Sequence, residues 1–192
     1  MKEVTMITGN MGKWRIASDI FKKYNVKLNH IKMDTPEIQS HHVEEVSKYS
    51  AQYAAKELNI PVIKSDVGYY IEALGGFPGP FLRYANDMLT SEDVIKMMKG
   101  KKNRKIFLKE CLTFAAPGKE AKQFISIEEA SIANKPEGEG TTFDRIVIFK
   151  GEDHPKSLNT DEENYKHFEK TLVIYDNMAK YLEGDNDEKK SN

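Results

Sequence analysis

The chain has 192 residues, a length typical of one compact domain or of one domain with two lobes. Its 29 Lys and Arg residues balance 30 Asp and Glu residues, whereas proteins that bind duplex DNA or anionic membranes carry a basic excess. No apolar run approaches the ~20 residues that cross a bilayer, and the N-terminus lacks the apolar segment of a signal peptide. We therefore expect a cytosolic protein that binds neither nucleic acid nor membrane, although a small anionic ligand is not excluded.

The single cysteine, Cys111, excludes an internal disulfide, and no Cys/His spacing suggests a zinc site. Cys111 lies in the apolar run 107–116. We therefore expect a buried structural thiol there rather than a nucleophile.

The first third of the chain predicts alternating strands and helices. A buried strand over 4–8 is followed by a glycine-containing turn and then by apolar residues at helical spacing. A second strand is predicted over 26–33, a helix over 43–58 and a third strand over 62–66. This βαβαβ order favours an α/β sheet, in which ligands usually bind at the carboxyl ends of the strands.

The rest of the chain is richer in β structure and ends in a helix. The further predicted elements are a strand over 69–74, a loop over 75–80, a helix over 91–99, strands over 106–116, 122–133 and 146–149, and a final helix with an apolar stripe from Tyr165 to Leu182. We predict one domain over residues 1–183, a disordered polar tail over 184–192, and a mixed α/β sheet with flanking helices.

A candidate anion-binding loop joins the first strand to the first helix. It contains Thr8, Asn10 and Lys13 with glycines between them, so that the backbone and the helix N-terminus can approach a phosphate. The spacing differs from that of a Walker loop. An ordinary βα turn is the alternative interpretation.

Two acids follow later strands on the side where this loop emerges. Glu37 comes after the second strand and Asp66 ends the third. Carboxylates that face a phosphate site suit a hard cation such as Mg²⁺, but each acid alone also fits a solvated surface. The turn-rich loop that leads to Arg83 predicts either a ligand contact or an anchored hairpin connection.

Phe143 and Asp144 precede a late strand, where an aromatic ring beside an acid can stack on a purine and hydrogen-bond its edge. A turn with an Asp cap is the alternative. His167 lies on the final helix beside the apolar stripe, where a lone histidine is more often structural than catalytic.

In their order along the chain, these motifs resemble the inosine triphosphate pyrophosphatase family, enzymes that hydrolyse non-canonical purine nucleoside triphosphates. Thr8, Asn10 and Lys13 match the family's [ST]-x-N-x-x-K motif, and Glu37 with Gln39 matches its Glu-x-Gln element. The most specific resemblance spans residues 65–80, where an acid, a strand ending in Ala-Leu and a Gly-x-Pro-Gly loop follow each other. The resemblance covers nearly the whole chain, from Val4 to Leu182.

The resemblance implies an elongated, mixed α/β fold with two lobes around a central cleft, a homodimer, and the conversion of NTP and water to NMP and pyrophosphate. It implies that Mg²⁺, or Mn²⁺ in its place, binds Glu37 and Asp66, and that Asp66 accepts a proton from the attacking water. The residues that the resemblance assigns to the substrate are Thr8, Asn10, Lys13, Lys48 and Arg83 for the phosphates, and Phe143, Asp144 and His167 for the base.

The sequence departs from the family at two informative positions. Ser65 replaces the first acid of an acidic pair, and Phe168 replaces the arginine of a Ser-His-Arg motif. Two alternatives therefore stay open: a Maf-like pyrophosphatase that acts on pyrimidine or modified nucleotides, and a nucleotide-binding sensor with little catalysis.

Overall fold

The computed structural model describes residues 2–184, which form a seven-stranded sheet flanked by six α-helices. The strands are β1 Lys2–Ile7, β2 Val26–Ile31, β3 Val62–Ile71, β4 Pro78–Gly79, β5 Lys105–Ala115, β6 Lys122–Ile132 and β7 Val147–Phe149. The helices are α1 Met11–Phe21, α2 Val43–Leu58, α3 Leu82–Met88, α4 Ser91–Met97, α5 Asp161–Thr171 and α6 Ile174–Gly184. Apart from Gly184, the predicted polar tail lies outside the described residues.

The strands have the order β2-β1-β3-β5-β6-β7, and part of one edge of β3 is unpaired within this sheet. β1 is parallel to β2 and β3, whereas β5, β6 and β7 continue the sheet in antiparallel fashion. The pairing of β1 with β3 ends at Met6 and Ile63, and β4 pairs with β3 only at Tyr69 and Tyr70. No strand of the described chain pairs with residues 65–68 on that edge, which therefore opens towards the turn between β1 and α1.

Apolar packing covers both faces of this sheet. On one face, α1 and α6 bury a cluster that includes Phe21 and Tyr175. On the other, α2 presents the small residues Ala51, Ala54 and Ala55, which let the helix lie close to β3 and β5. A further cluster, centred on Ile71, Ile106, Phe143 and Phe149, joins β3, β5, β6 and β7 to α3 and α4 at the other end of the sheet.

The predicted fold class, an elongated mixed α/β sheet with flanking helices and two lobes around a cleft, is confirmed. The predicted helix over 43–58 has the observed bounds, and Thr90 caps α4 through a reciprocal capping box with Asp93. Cys111 is fully buried, as expected, and burial raises the pKa of its thiol. The single domain over residues 1–183 stays a prediction.

Several elements differ from the prediction. The predicted loop over 75–80 contains β4, and helix α3 was not predicted. β3 is one continuous strand because β5 pairs with it without a break from Val62 to Ile71. Gly68 leaves room for β4, since a Cβ at this position would lie 3.0 Å from the carbonyl carbon of Gly79. The final helix is broken between α5 and α6, and the Ser126 hydroxyl donates a hydrogen bond of 3.1 Å to the carbonyl of Thr171 at the break. This break lets α6 turn Tyr175 into the core while α5 lines the cleft.

Candidate functional site

The loop between β1 and α1 is shaped by its own side chains. The Asn10 carboxamide accepts a hydrogen bond of 3.1 Å from the backbone N–H of Lys13 and so caps α1. The Thr8 hydroxyl accepts one of 3.0 Å from the backbone N–H of Asn10. The loop is therefore preorganised, and it presents the N-terminus of an eleven-residue helix to the cleft.

Lys13 projects from this loop to the open edge of β3. Its Nζ lies 3.0 Å from Ser65 Oγ and 3.4 Å from Glu110 Oε1. The Tyr175 hydroxyl donates a hydrogen bond of 2.9 Å to the same Glu110 oxygen. Burial and the Glu110 carboxylate raise the pKa of Tyr175 well above its ordinary value, so the hydroxyl remains a donor. The sequence analysis did not identify Glu110 or Tyr175 as site residues.

Asp66 lies on the opposite face of β3 and pairs with a lysine from its own strand. Lys64 Nζ lies 3.2 Å from Oδ1 and 3.4 Å from Oδ2 of Asp66, and the Ser50 hydroxyl lies 3.3 Å from Oδ2. Both side chains of the ion pair are largely buried. The sequence analysis missed Lys64, although a lysine inside an apolar strand, two residues before an acid, is a recognisable signal because it shares that acid's face.

A cavity of about 390 Å³ lies along the open edge of β3 and gathers most of the predicted phosphate and metal residues. The charged and polar side chains that line it are Lys13, Glu37, Ser65, Asp66, Arg83, Asn86, Asp87 and Thr141. Three segments that are distant in sequence thus meet here: the start of α1 with Lys13, the residues after β2 with Glu37, and the start of α3 with Arg83. We refer to this space as the polar cavity.

A second cavity, of about 520 Å³, adjoins the polar cavity and shares Lys13 and Val67 with it. Its lining is mainly aromatic and aliphatic, and it comes from α1, α5 and the sheet: Ile16, Tyr69, Tyr165, Phe168 and Leu172. Asn164 also lines it, and within residues 2–184 its buried Oδ1 accepts no hydrogen bond. We call this the apolar cavity. An apolar pocket with a few polar groups is typical of a site for an organic ring.

The predicted base-binding residues are distributed differently. Phe143 is buried in the core and packs edge-to-face against Tyr69 at 5.8 Å between ring centroids, so it does not reach either cavity. Asp144 pairs with Lys156, Nζ to Oδ1 at 2.6 Å. Burial favours the neutral acid, but Lys156 and a hydrogen bond from Thr141 hold the pKa of Asp144 below its ordinary value. Lys156 itself lines the apolar cavity.

His167 and Lys48 lie outside both cavity linings. His167 stacks on Phe149 with 3.7 Å between ring centroids, and its Nε2 lies 2.7 Å from Glu128 Oε1. Lys48 is on the exposed side of α2. The roles that the resemblance assigns to these two residues stay predictions.

The polar cavity carries carboxylate groups that suit a divalent cation. Mg²⁺ usually binds proteins through one or two carboxylates and keeps several waters or substrate oxygens. Glu37 and Asp66 supply two carboxylates to one cavity, which fits that pattern. Among residues 2–184 no group of three or more His, Cys, Asp or Glu side chains is placed to hold a metal ion. The site thus suits a cation that the substrate also binds.

Comparison with known proteins identifies the family of this chain. The model of the Ham1 family matches residues 4–170. The chain is 38% identical over 173 residues to the dITP/XTP pyrophosphatase of Methanopyrus kandleri, covering 90% of this chain and 92% of that protein. It is 34% identical over 168 residues to the dITP/XTP pyrophosphatase of Methanosarcina acetivorans, covering 87% and 91%. The structure of the Staphylococcus aureus Ham1 protein matches with a TM-score of 0.77 at 24% identity, over 96% of this chain and 100% of that one.

The fold defines a mixed α/β protein with a polar cavity at the carboxyl ends of its parallel strands. The chain belongs to the Ham1 family. The family resemblance inferred from the sequence is thereby confirmed. Every helix within residues 2–184 is too short or too polar to span a membrane.

Proposed function

We propose that this protein is a nucleoside triphosphate pyrophosphatase that hydrolyses non-canonical purine nucleoside triphosphates, such as dITP and XTP, to the monophosphate and pyrophosphate. The observation that carries the proposal is the adjacency of the two cavities. Lys13 lines both cavities. The polar cavity is also lined by Arg83 and by the carboxylates of Glu37, Asp66 and Asp87, and the apolar cavity has a size suited to a nucleoside. The relatives from Methanopyrus kandleri and Methanosarcina acetivorans are named dITP/XTP pyrophosphatases, which supports the same reaction.

In this proposal the polar cavity binds the phosphates. Lys13, Arg83 and the N-terminus of α1 supply positive charge to the triphosphate, which stabilises the charge that develops on the leaving pyrophosphate. Glu37 and Asp66 would hold Mg²⁺ or Mn²⁺, which when bound neutralises phosphate oxygens. Asp66 accepts the proton of the attacking water, a role that requires the carboxylate to be released from Lys64.

The apolar cavity binds the nucleoside. Tyr69, Tyr165 and Phe168 offer aromatic surface to the base, and Asn164 offers an unused acceptor to the ring N1–H that 6-oxo purines carry and adenine lacks. A buried polar group that a wrong base leaves unpaired is costly, and this cost is the physical basis of base selection. A homodimeric state and a cytosolic location belong to the same proposal.

The test is release of pyrophosphate, with Mg²⁺, from ITP, XTP, dITP, the four canonical NTPs and modified pyrimidine triphosphates. We expect the highest kcat/KM for a non-canonical purine triphosphate. A preference for pyrimidine or modified triphosphates would instead establish the Maf-like alternative, which no observation in the described structure favours.

A weakly catalytic nucleotide sensor is the second candidate, and the ion pair of Asp66 with Lys64 favours it. The Lys64 ammonium, 3.2 Å from Asp66 Oδ1, competes with an incoming metal ion for this carboxylate. Calorimetric binding of ITP or XTP without measurable pyrophosphate release would support the sensor and contradict the enzyme.

A further inference from the structure

Two side chains on one face of the sheet share the same two partners. Ser65 on β3 and Glu110 on β5 are diagonal neighbours, because Ser65 pairs with Leu112 and Glu110 pairs with Val67. Lys13 Nζ contacts both, at 3.0 Å and 3.4 Å respectively. The Tyr175 hydroxyl also contacts both, at 3.3 Å from Ser65 Oγ and 2.9 Å from Glu110 Oε1.

Glu110 is an unusual residue at such a position. Its side chain is only 8% exposed, and a buried carboxylate is stable only where cations and hydrogen-bond donors compensate for its lost hydration. Lys13 supplies the cation and Tyr175 supplies the donor. The Glu110 carboxylate in turn holds the flexible side chain of Lys13 at the boundary between the polar and apolar cavities.

We propose that Glu110 is the positioning residue of Lys13, and that it provides from β5 the negative charge that Ser65 does not provide from β3. This inference rests on the proposed function, in which Lys13 contacts the substrate phosphates. Glu110 lines the apolar cavity and not the polar cavity, whereas Lys13 lines both, so Glu110 acts on the phosphates through Lys13. The neutral hydroxyls of Ser65 and Tyr175 complete the arrangement through hydrogen bonds to the ammonium and to the carboxylate.

Because Ser65 and Glu110 contact the same two side chains, Lys13 and Tyr175, we expect that the carboxylate can be moved from position 110 to position 65. Because the Ser65 hydroxyl already lies 3.0 Å from Lys13 Nζ, an aspartate at position 65 places a carboxylate oxygen beside the same ammonium. Removal of Glu110 at the same time frees the space that this carboxylate needs. The double variant Ser65→Asp/Glu110→Ser therefore moves the charge from β5 to β3 while it keeps the net charge of the chain.

The experiment compares wild type, Glu110→Ser, Glu110→Gln and Ser65→Asp/Glu110→Ser. The matched control is Glu129→Ser, which removes an exposed carboxylate of β6 that pairs with Lys105. Two quantities are measured: the affinity for α,β-methylene ITP with Mg²⁺, an analogue that cannot be cleaved between its α- and β-phosphates, and the urea midpoint of unfolding. The glutamine variant keeps the side-chain volume, so its affinity separates loss of charge from loss of packing.

We expect both single substitutions at position 110 to weaken analogue binding by about 10-fold or more, the range for a lost charged hydrogen bond. The double variant regains most of this affinity and raises the urea midpoint above that of Glu110→Ser, and the control matches wild type in affinity. A double variant no better than Glu110→Ser would overturn the proposal. So would tighter binding by Glu110→Ser, since Glu110 would then restrain Lys13 from the phosphates.

The two readouts separate this inference from the proposed function. If wild type binds no triphosphate analogue, the proposed function fails, and the urea midpoints alone decide whether the acid is exchangeable. Recovery of the midpoint in the double variant would then support the shared site around Lys13, and absence of recovery would refute it.

Discussion

Substitution of Lys64 by methionine tests whether Asp66 in the polar cavity binds a metal ion and whether Lys64 opposes that binding. The Lys64 and Asp66 side chains are 11% and 13% exposed, and their charged atoms lie 3.2 Å apart. Loss of one partner from a buried pair typically costs about 3–5 kcal/mol. Because this pair keeps some contact with solvent, we expect Lys64→Met to lower the free energy of unfolding by about 3 kcal/mol in EDTA, the lower end of that range.

The same substitution should strengthen divalent metal binding. Two unit charges 4 Å apart interact by about 4 kcal/mol at an effective dielectric constant of 20, so an ammonium beside Asp66 opposes an incoming cation strongly. A tenfold lower Kd for Mn²⁺, about 1.4 kcal/mol, is a conservative expectation. Saturating Mn²⁺ should therefore restore more stability to Lys64→Met than to wild type.

The assay is urea unfolding in EDTA and in Mn²⁺, together with direct Mn²⁺ titration by electron paramagnetic resonance. Lys105→Met is the matched control, because Lys105 pairs with Glu129 at 3.4 Å on an exposed surface. Such pairs are worth about 1 kcal/mol or less, and this one is remote from the polar cavity. If Lys64→Met binds Mn²⁺ no more tightly than wild type, Asp66 is not a metal ligand restrained by Lys64.

Three further substitutions test the assigned roles. Asp66→Asn should reduce pyrophosphate release at least ~10²-fold, as loss of a general base typically does, and a near-normal rate would place the catalytic centre elsewhere. Lys13→Ala should weaken triphosphate binding and lower kcat/KM, while circular dichroism shows unchanged secondary structure. An unchanged kcat/KM would mean that the loop between β1 and α1 is an ordinary turn that does not bind phosphate. Asn164→Leu should narrow the kcat/KM ratio of ITP to ATP, and an unchanged ratio would exclude Asn164 from base selection.

Much of the architecture was predictable because local patterns decided it. The apolar run in β5, the period of two in β6, the helical spacing in α2 and the cap at Thr90 each have a local physical cause. The break between α5 and α6 was not predictable, because the apolar stripe continues across it and the interrupting contact comes from Ser126, 45 residues away. Helix α3 was missed because it lacks a side-chain cap, whereas the equally short α4 begins with a capping box at Thr90.

The site was predictable only as far as sequence motifs extend. Lys13, Glu37, Asp66 and Arg83 belong to recognisable segments, and the structure brings all four to one cavity. Glu110 was not predictable, because its partners Lys13 on α1 and Tyr175 on α6 lie 97 and 65 positions away and only the packing of these helices on the sheet brings them together.

Phe143, unlike Glu110, belongs to a motif that is recognisable in the sequence, but it lies in the core. Its motif predicted a base contact, but the ring fills the core beside Tyr69 and reaches neither cavity. An aromatic residue before a strand fits both outcomes, and tertiary packing decides between them.

The most direct test of the central claim is analysis of the products formed from dITP in Mg²⁺. We predict dIMP and pyrophosphate in equal amounts, with no products in EDTA and at least ~10²-fold slower formation by Asp66→Asn. Formation of dIDP and phosphate, or unchanged turnover in EDTA, would contradict the proposed pyrophosphatase and its two-carboxylate site.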